Sequence, residues 1–367
     1  MNGHRIRVLV IEDSIRLRAR IVKTLSADPG IEVLAQAADG RAAIDLCLQL
    51  RPDVVTMGLL LPGITGLAAT EQLMQRCPTP ILISSAATDP DELLNTVAAL
   101  AAGAVDVLER PRAGVTEEAD WDRRLISRVK LVARIQVITH LNRRAGQRTE
   151  LPEPPSTRRP PARLEPLVLP SEPNVPSIVA LGASTGGPAA VATVLSGLTP
   201  DFSLPVLLVL HVSDAFGPAI ASWLKGVTGR RVRLAESGEP ISDLGGQVIM
   251  APPGQHLATR HGLLVLNRER ERHSCRPSVD VLFESLAAEF GGRLVACLLT
   301  GMGKDGATGL LDVHRHGGVT IAQDEASSVV FGMPGEAIRL GAAQLVLPVD
   351  EIGPALCRLA AVAVGSR

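Results

Sequence analysis

DVVTMGLLLPG, residues 53–63, runs from a buried apolar stretch (Val54, Val55) into a turn (Pro62, Gly63) with nothing polar from Met57 to Leu61. The runs around it show what kind of strand this is. RVLVI, EVLAQ, PILIS and VDVLE are short and β-rich, and they alternate with helical stretches such as IRLRARIVKTL, GRAAIDLCLQL, GLAATEQLMQRC, DELLNTVAALAAGA and RRLISRVKLVARIQVITHL. Five βα units of this kind predict an α/β fold with a doubly wound parallel sheet of flavodoxin-like order. In such sheets ligands sit at the carboxyl ends of the strands, so the bare tip at Gly58 is the anomaly to explain.

The alternation stops between about 143 and 176, in RRAGQRTELPEPPSTRRPPARLEPLVLPSEPNVPS. Proline without a hydrophobic period builds neither helix nor ladder, so an extended linker is expected over 143–175. It separates a first domain, 1–142, from a second, 176–367. There the alternation resumes with SIVALGAS, PVLLVLHV, QVIMAPP, LVACLLTG and VTIAQD, predicting a second doubly wound parallel α/β sheet. A chain of 367 residues is long enough for two such cores.

Composition narrows the function. With 37 basic and 38 acidic residues, a net charge of −1, 2% aromatics and no tyrosine, the chain lacks the basic excess and stacking rings of a nucleic-acid binder. Its five cysteines (Cys47, Cys77, Cys275, Cys297, Cys357) form no Cys-x-x-Cys pair and lie mostly inside apolar runs, so they read as reduced core cysteines, and neither a disulfide framework nor a zinc site is expected. No apolar run approaches the ~20 residues of a membrane span, and a soluble cytoplasmic protein is expected.

The strand ends of the first domain offer Glu12 and Asp13, then Gly58, Ser84 with Ser85, and Arg110 followed by Pro111. Through VLVIEDS, PDVVTMGLLLPGITGL, ILISSA and GAVDVLERP this domain resembles the receiver domain of two-component response regulators. The resemblance implies an acidic Mg²⁺-binding pair at Glu12 and Asp13 and a hydroxyl at Ser84. It fails at two positions, since Gly58 stands for the phosphoacceptor aspartate and Arg110 for the lysine. Asp53 lies five residues before Gly58, ~16 Å away at ~3.3 Å per residue, and cannot substitute. A glycine carries no nucleophile, so no aspartyl phosphate is expected. Arg110 either pairs with Glu12 or Asp13 or faces solvent. Leu59, Leu60 and Leu61 are either core or an apolar docking surface.

In the second domain SIVALGASTGGPAAVATVLSGL reads as strand, tight turn and helix, with Gly182-x-Ser184-x-Gly186 in the form of a nucleophile elbow and Pro188 in the first helical turn. The next strand ends at His211, and LVACLLTGMGKDGATGLL places Asp305 in a glycine-rich loop. A serine, a histidine and an aspartate on one rim have the types a hydrolytic triad needs: nucleophile, proton relay and imidazole orienter. Their order differs from the Ser, Asp, His of α/β-hydrolases. A rival reading is that Gly301-x-Gly303-x-x-Gly306 with Asp324 is a dinucleotide fingerprint. Against it, Asp305 would set a carboxylate where a pyrophosphate must bind.

LGASTGGP, LHVSDAFGPAIASWL, MAPPGQHL, RPSVDVLFESLA, LLTGMGKDGATGL and TIAQDEASSVVFGMP together resemble the catalytic domain of chemotaxis protein-glutamate methylesterases over about 176–365. A receiver joined to this domain is also that family's architecture. The resemblance implies hydrolysis of glutamate methyl esters on chemoreceptors, with Ser184, His211 and Asp305 as the triad and Thr185 and Met302 beside the oxyanion. No cofactor and no bound metal are expected. Glutamine deamidation on the same receptors is a second implied activity, and the chemotaxis histidine kinase complex a further implied partner. VSDAFG after His211 departs from the family's methionine- and proline-rich turn. The alternative from another class is a catalytically silent chemosensory scaffold, which would not need all three triad groups.

Overall fold

The computed structural model describes residues 5–86, 90–111, 118–135, 175–212 and 214–361. The expected linker lies outside these residues except for Val175, as does the end of the expected last helix of the first domain.

The first domain alternates strictly. Its elements are β1 (Ile6–Ile11), α1 (Ile15–Ser26), β2 (Ile31–Ala37), α2 (Gly40–Leu50) and β3 (Val54–Gly58), then α3 (Gly66–Arg76), β4 (Ile81–Ser85), α4 (Pro90–Ala101), β5 (Asp106–Glu109) and α5 (Glu118–Val132). The five strands pair in the order β2-β1-β3-β4-β5, all parallel. Helices start where short polar side chains can cap free amides: Ser14, Asp39 and Thr65 accept from Leu17, Ala42 and Ala68. One face of the sheet packs on α1 and α5 through Ile21, Leu25, Trp121 and Val129; the other packs on α2 and α3 through Ile44, Leu73 and Met74. The triplet after Gly58 divides: Leu59 and Leu61 are core, while Leu60 is half exposed.

The second domain contains β6 (Ile178–Ala183), α6 (Gly187–Ser196), β7 (Val206–Leu210), α7 (Gly217–Thr228), β8 (Arg231–Leu234) and β9 (Gln247–Met250). A hairpin, β10 (His256–Arg260) and β11 (Leu263–Asn267), precedes α8 (Val279–Phe290) and β12 (Leu294–Leu298). The chain then completes α9 (Ala307–Arg315), β13 (Val319–Gln323), α10 (Met333–Arg339), β14 (Leu345–Leu347) and α11 (Val349–Ala361). Seven parallel strands take the order β14-β13-β12-β6-β7-β9-β8. The five strands expected from sequence form the centre. The two edges, RVRL and LVL, are short or charged and so lack the apolar run that marks a strand buried on both faces. Helices α6, α7 and α11 cover one face and α8, α9 and α10 the other.

The two domains touch. Helix α4 lies against α6 and α7, and Val97 of α4 is fully buried in the core cluster of the second domain. Burying a valine side chain contributes about 1.5–3 kcal/mol, so this contact helps to seat the first domain. No helix among the described residues is long and apolar enough to cross a membrane.

Candidate active site

Strands β6, β7 and β12 are neighbours, and the residues that follow them share one rim. Ser184 follows β6 and begins a turn into α6, in which Gly186 takes φ 75° and Gly187 donates to the Ser184 carbonyl at 2.7 Å. A Cβ on Gly186 would come within 2.5 Å of Val329, and one on Gly301 within 2.8 Å of the Ser184 Cβ, so both glycines are needed for close approach. The elbow is braced from behind. The Thr300 hydroxyl donates to the Thr185 carbonyl at 2.9 Å, while the Thr300 amide donates to the Gln323 side chain at 2.8 Å.

His211 directly follows β7, and its Nε2 bonds Asp305 Oδ2 at 2.9 Å. Asp305 is 2% exposed, yet it is well supplied with donors. Ser278 Oγ and the amides of Val279 and Asp280 reach it at 2.7, 2.7 and 3.2 Å, so the carboxylate sits on the amino end of α8. Burial pushes its pKa up, but His211 and these donors outweigh burial and hold it below the usual carboxylate range. The carboxylate stands just before α9, where the dinucleotide objection placed it, and its backbone hydrogen bonds come from the start of α8. Asp324 is occupied locally, accepting from the Ser327 amide and hydroxyl.

For His211, burial favours the neutral ring, but the bond to Asp305 and the neighbouring Cys275 prevail, and its pKa rises to about 9. With Nε2 committed to Asp305, Nδ1 is the nitrogen left for proton transfer. No hydrogen bond joins Ser184 to His211 among the described residues; Nδ1 instead faces Cys275 Sγ at 3.7 Å. Ser184, Thr185, His211, Cys275 and Met302 all border one cavity of about 380 Å³. The amides of Thr185 and Met302 have no acceptor among the described residues, as donors reserved for an oxyanion would not. The first domain supplies the opposite wall, including Asp106, Glu109, Arg124 and Arg128.

Ser278, Thr300 and Gln323 escaped the sequence reading although they lie in stretches it singled out. Their role is to hold other side chains, and single polar residues in apolar runs carry no signal of that. Cys275 departs from the expectation of core cysteine: Cys47, Cys77 and Cys297 are buried, while Cys275 reaches the cavity and Cys357 is half-buried.

The rim of the first domain holds a different set. Arg110 Nη2 lies 3.3 Å from Glu12 Oε2 and 4.0 Å from Asp13 Oδ1, so the arginine pairs inward. Glu12 is fully buried. That burial raises its pKa to about 7 against the opposing pull of Arg110. Ser84 Oγ is buried without a hydrogen-bond partner among the described residues. Asp53 accepts from the Arg7 amide at 2.8 Å at the far end of β3. These residues do not fit the Mg²⁺ of an active receiver: Gly58 offers no carboxylate, and a guanidinium already lies against Glu12 and Asp13.

A parallel-sheet rim carrying a serine on an elbow, a histidine and a buried aspartate, joined to a receiver fold, marks the class of receiver-linked hydrolases. The chain matches the CheB methylesterase family over residues 179–356 and the response regulator receiver domain over 8–115. A protein-glutamate methylesterase/protein-glutamine glutaminase of Anaeromyxobacter dehalogenans is 42% identical over 96% of this chain and 97% of its own length. A namesake from Nitrosospira multiformis is 42% identical over 97% of both chains, and one from Geobacter metallireducens 40% over 97% and 99%. The chain therefore belongs to the CheB protein-glutamate methylesterase family, and the silent-scaffold reading gains no support.

Proposed function

We propose that this chain hydrolyses methyl esters of glutamate side chains on methyl-accepting chemotaxis receptors, with Ser184 as nucleophile, His211 as proton relay and Asp305 as orienter. The observation that carries the reading is the 2.9 Å bond from His211 Nε2 to Asp305, which leaves Nδ1 on the cavity that Ser184 borders. Ser184 Oγ attacks the ester carbon and gives its proton to Nδ1. The oxyanion is held by the Thr185 and Met302 amides. Methanol leaves with the proton from Nδ1; a water activated at the same nitrogen then cleaves the acyl-enzyme and frees the glutamate. Asp305 keeps the imidazole in the required tautomer and stabilises its cation. The same groups serve glutamine deamidation, for which the leaving nitrogen must take the Nδ1 proton.

The first domain acts here as a cover that phosphorylation does not operate. A cavity of about 380 Å³ admits a methyl glutamate side chain but not the helix bearing it, which is about 10–12 Å wide, so the receiver wall must move for a protein substrate. Gly58 leaves no acceptor, and Arg110 occupies the pocket in place of a metal. A partner from the chemotaxis kinase complex is one source of the displacing contact. The deciding experiment measures methanol release from methylated chemoreceptor without phosphodonor. The full chain is expected to be active and Ser184→Ala inactive; activity surviving in Ser184→Ala removes the triad assignment.

A further inference from the structure

Cys275 borders the catalytic cavity, yet no step of the hydrolysis uses it. It ends a turn closed by the Arg272 amide on the Cys275 carbonyl at 3.2 Å and the Cys275 amide on the Arg272 carbonyl at 2.8 Å. The central residues, His273 and Ser274, have φ 51° and 60°, the conformation of a type I′ turn without its usual glycine. The turn is fastened to α8: Arg272 grips Glu284 with both guanidinium arms, and His273 Nε2 lies 2.9 Å from Asp280 Oδ2. Cys275 Sγ is thereby held 3.7 Å from His211 Nδ1. Ligand atoms of Cys275, His211 and Asp305 all lie within 4.8 Å of one another.

We propose that Cys275 and His211 form a binding site for a thiophilic divalent cation of the zinc type, and that occupation of this site switches the hydrolase off. A tetrahedral ion with bonds of about 2.3 Å to sulfur and about 2.0–2.1 Å to nitrogen sets its two ligand atoms about 3.6 Å apart. The observed 3.7 Å needs almost no adjustment. Asp305 accepts from the other ring nitrogen, which is the carboxylate–histidine–metal arrangement that orients metal-binding imidazoles. Both residues border the cavity, from which water can supply the remaining ligands. Sulfur and imidazole select zinc-like ions over Mg²⁺ or Ca²⁺. His273, Asp280 and Asp305 also cluster, but those carboxylates are taken: Asp280 by the Gly309 amide and His273, Asp305 by α8 and His211.

On binding, the Cys275 thiol proton and any proton on Nδ1 are released to solvent, and the sulfur and nitrogen lone pairs are shared with the cation without change of oxidation state. Nδ1 then cannot take the Ser184 proton. Inhibition rests on the role proposed for His211, whereas binding does not, and the test separates the two.

The full chain is titrated with Co²⁺, read by thiolate-to-cobalt charge-transfer absorption, and with Zn²⁺, read by calorimetry. Methanol release is compared in Zn²⁺ and in excess chelator. One equivalent is expected to bind with a thiolate band. Zn²⁺ affinity is expected to fall about tenfold or more in Cys275→Ser and in His211→Gln but not in Cys357→Ser. Hydrolysis should fall at least about tenfold in Zn²⁺, recover with chelator, and become indifferent to Zn²⁺ in Cys275→Ser. A thiolate band that persists in Cys275→Ser, or unchanged affinity in His211→Gln, overturns the site. Metal binding that leaves hydrolysis unaffected overturns the switch. Cys275→Ala repeats the binding arm should the serine variant misfold, and that arm decides the site even if no ester is cleaved.

Discussion

The receiver rim and the catalytic rim are built alike and furnished differently. Both lie at the carboxyl ends of parallel strands. In the second domain a serine, a histidine and an acid are all present, and the ionised acid is stabilised by hydrogen bonds from the start of α8. In the first, the acid pair survives but the acceptor is a glycine, and Arg110 leans on Glu12 with only a 3.3 Å contact. The physical cost differs accordingly. Asp305 is buried and ionised below its normal range because its donors outnumber its losses; Glu12 is buried with too few, and its pKa climbs to about 7. The supply of hydrogen-bond donors decides which of the two buried carboxylates keeps its charge.

The largest expected effect tests the catalytic rim. Ser184→Ala and Asp305→Asn should each lower methanol release by about 10³–10⁴-fold with folding intact. Similar losses from Glu12 or Arg110 variants would erase the contrast between the two rims.

A smaller effect should appear in stability. The native Glu12 holds its proton up to about pH 7, while in the unfolded chain it is lost near 4.5, so the native state binds more protons in that window. Stability should therefore fall as pH rises from about 4.5 to 7, by on the order of 2–3 kcal/mol from this group, and level off above. Urea unfolding of the full chain at pH 5 and pH 8 measures it. Glu12→Gln should remove most of the difference, and an equal slope in that variant would show that another group is responsible.

Next in size is the cover itself. Deleting residues 1–142, or unseating α4 with Val97→Asp, should raise the rate on receptor substrate by about tenfold, the low end of what one buried valine contributes. A lower rate in both would mean that the receiver wall helps to bind substrate.

The smallest expected effect is none. Acetyl phosphate with Mg²⁺ should neither label the chain with acid-labile phosphate nor change its rate. Labelling of the first domain would show an acceptor other than the missing aspartate and would bring the two rims back together.

Much of this was legible in the sequence because parallel strands announce themselves. A strand buried on both faces must be a short apolar run, so β1, β3, β4, β6, β7 and β12 stood out, and whatever followed each run had to lie on a rim. Ser184, His211 and Gly58 could be placed that way from one-dimensional spacing alone. The edge strands β8 and β14 could not, since partial exposure dilutes their pattern.

The sequence by itself determined two α/β sheets, the three residue types of a hydrolytic site and the absence of a phosphoacceptor, since each is a local property of a strand and the residue after it. Only the tertiary structure decided which groups meet. It set Asp305 on the start of α8, turned Arg110 inward to Glu12, put α4 against α6 and α7, and brought Cys275 to His211 across 64 positions of chain. Such meetings depend on how turns and helix ends are aimed when the sheets close, and no spacing along the chain records that direction.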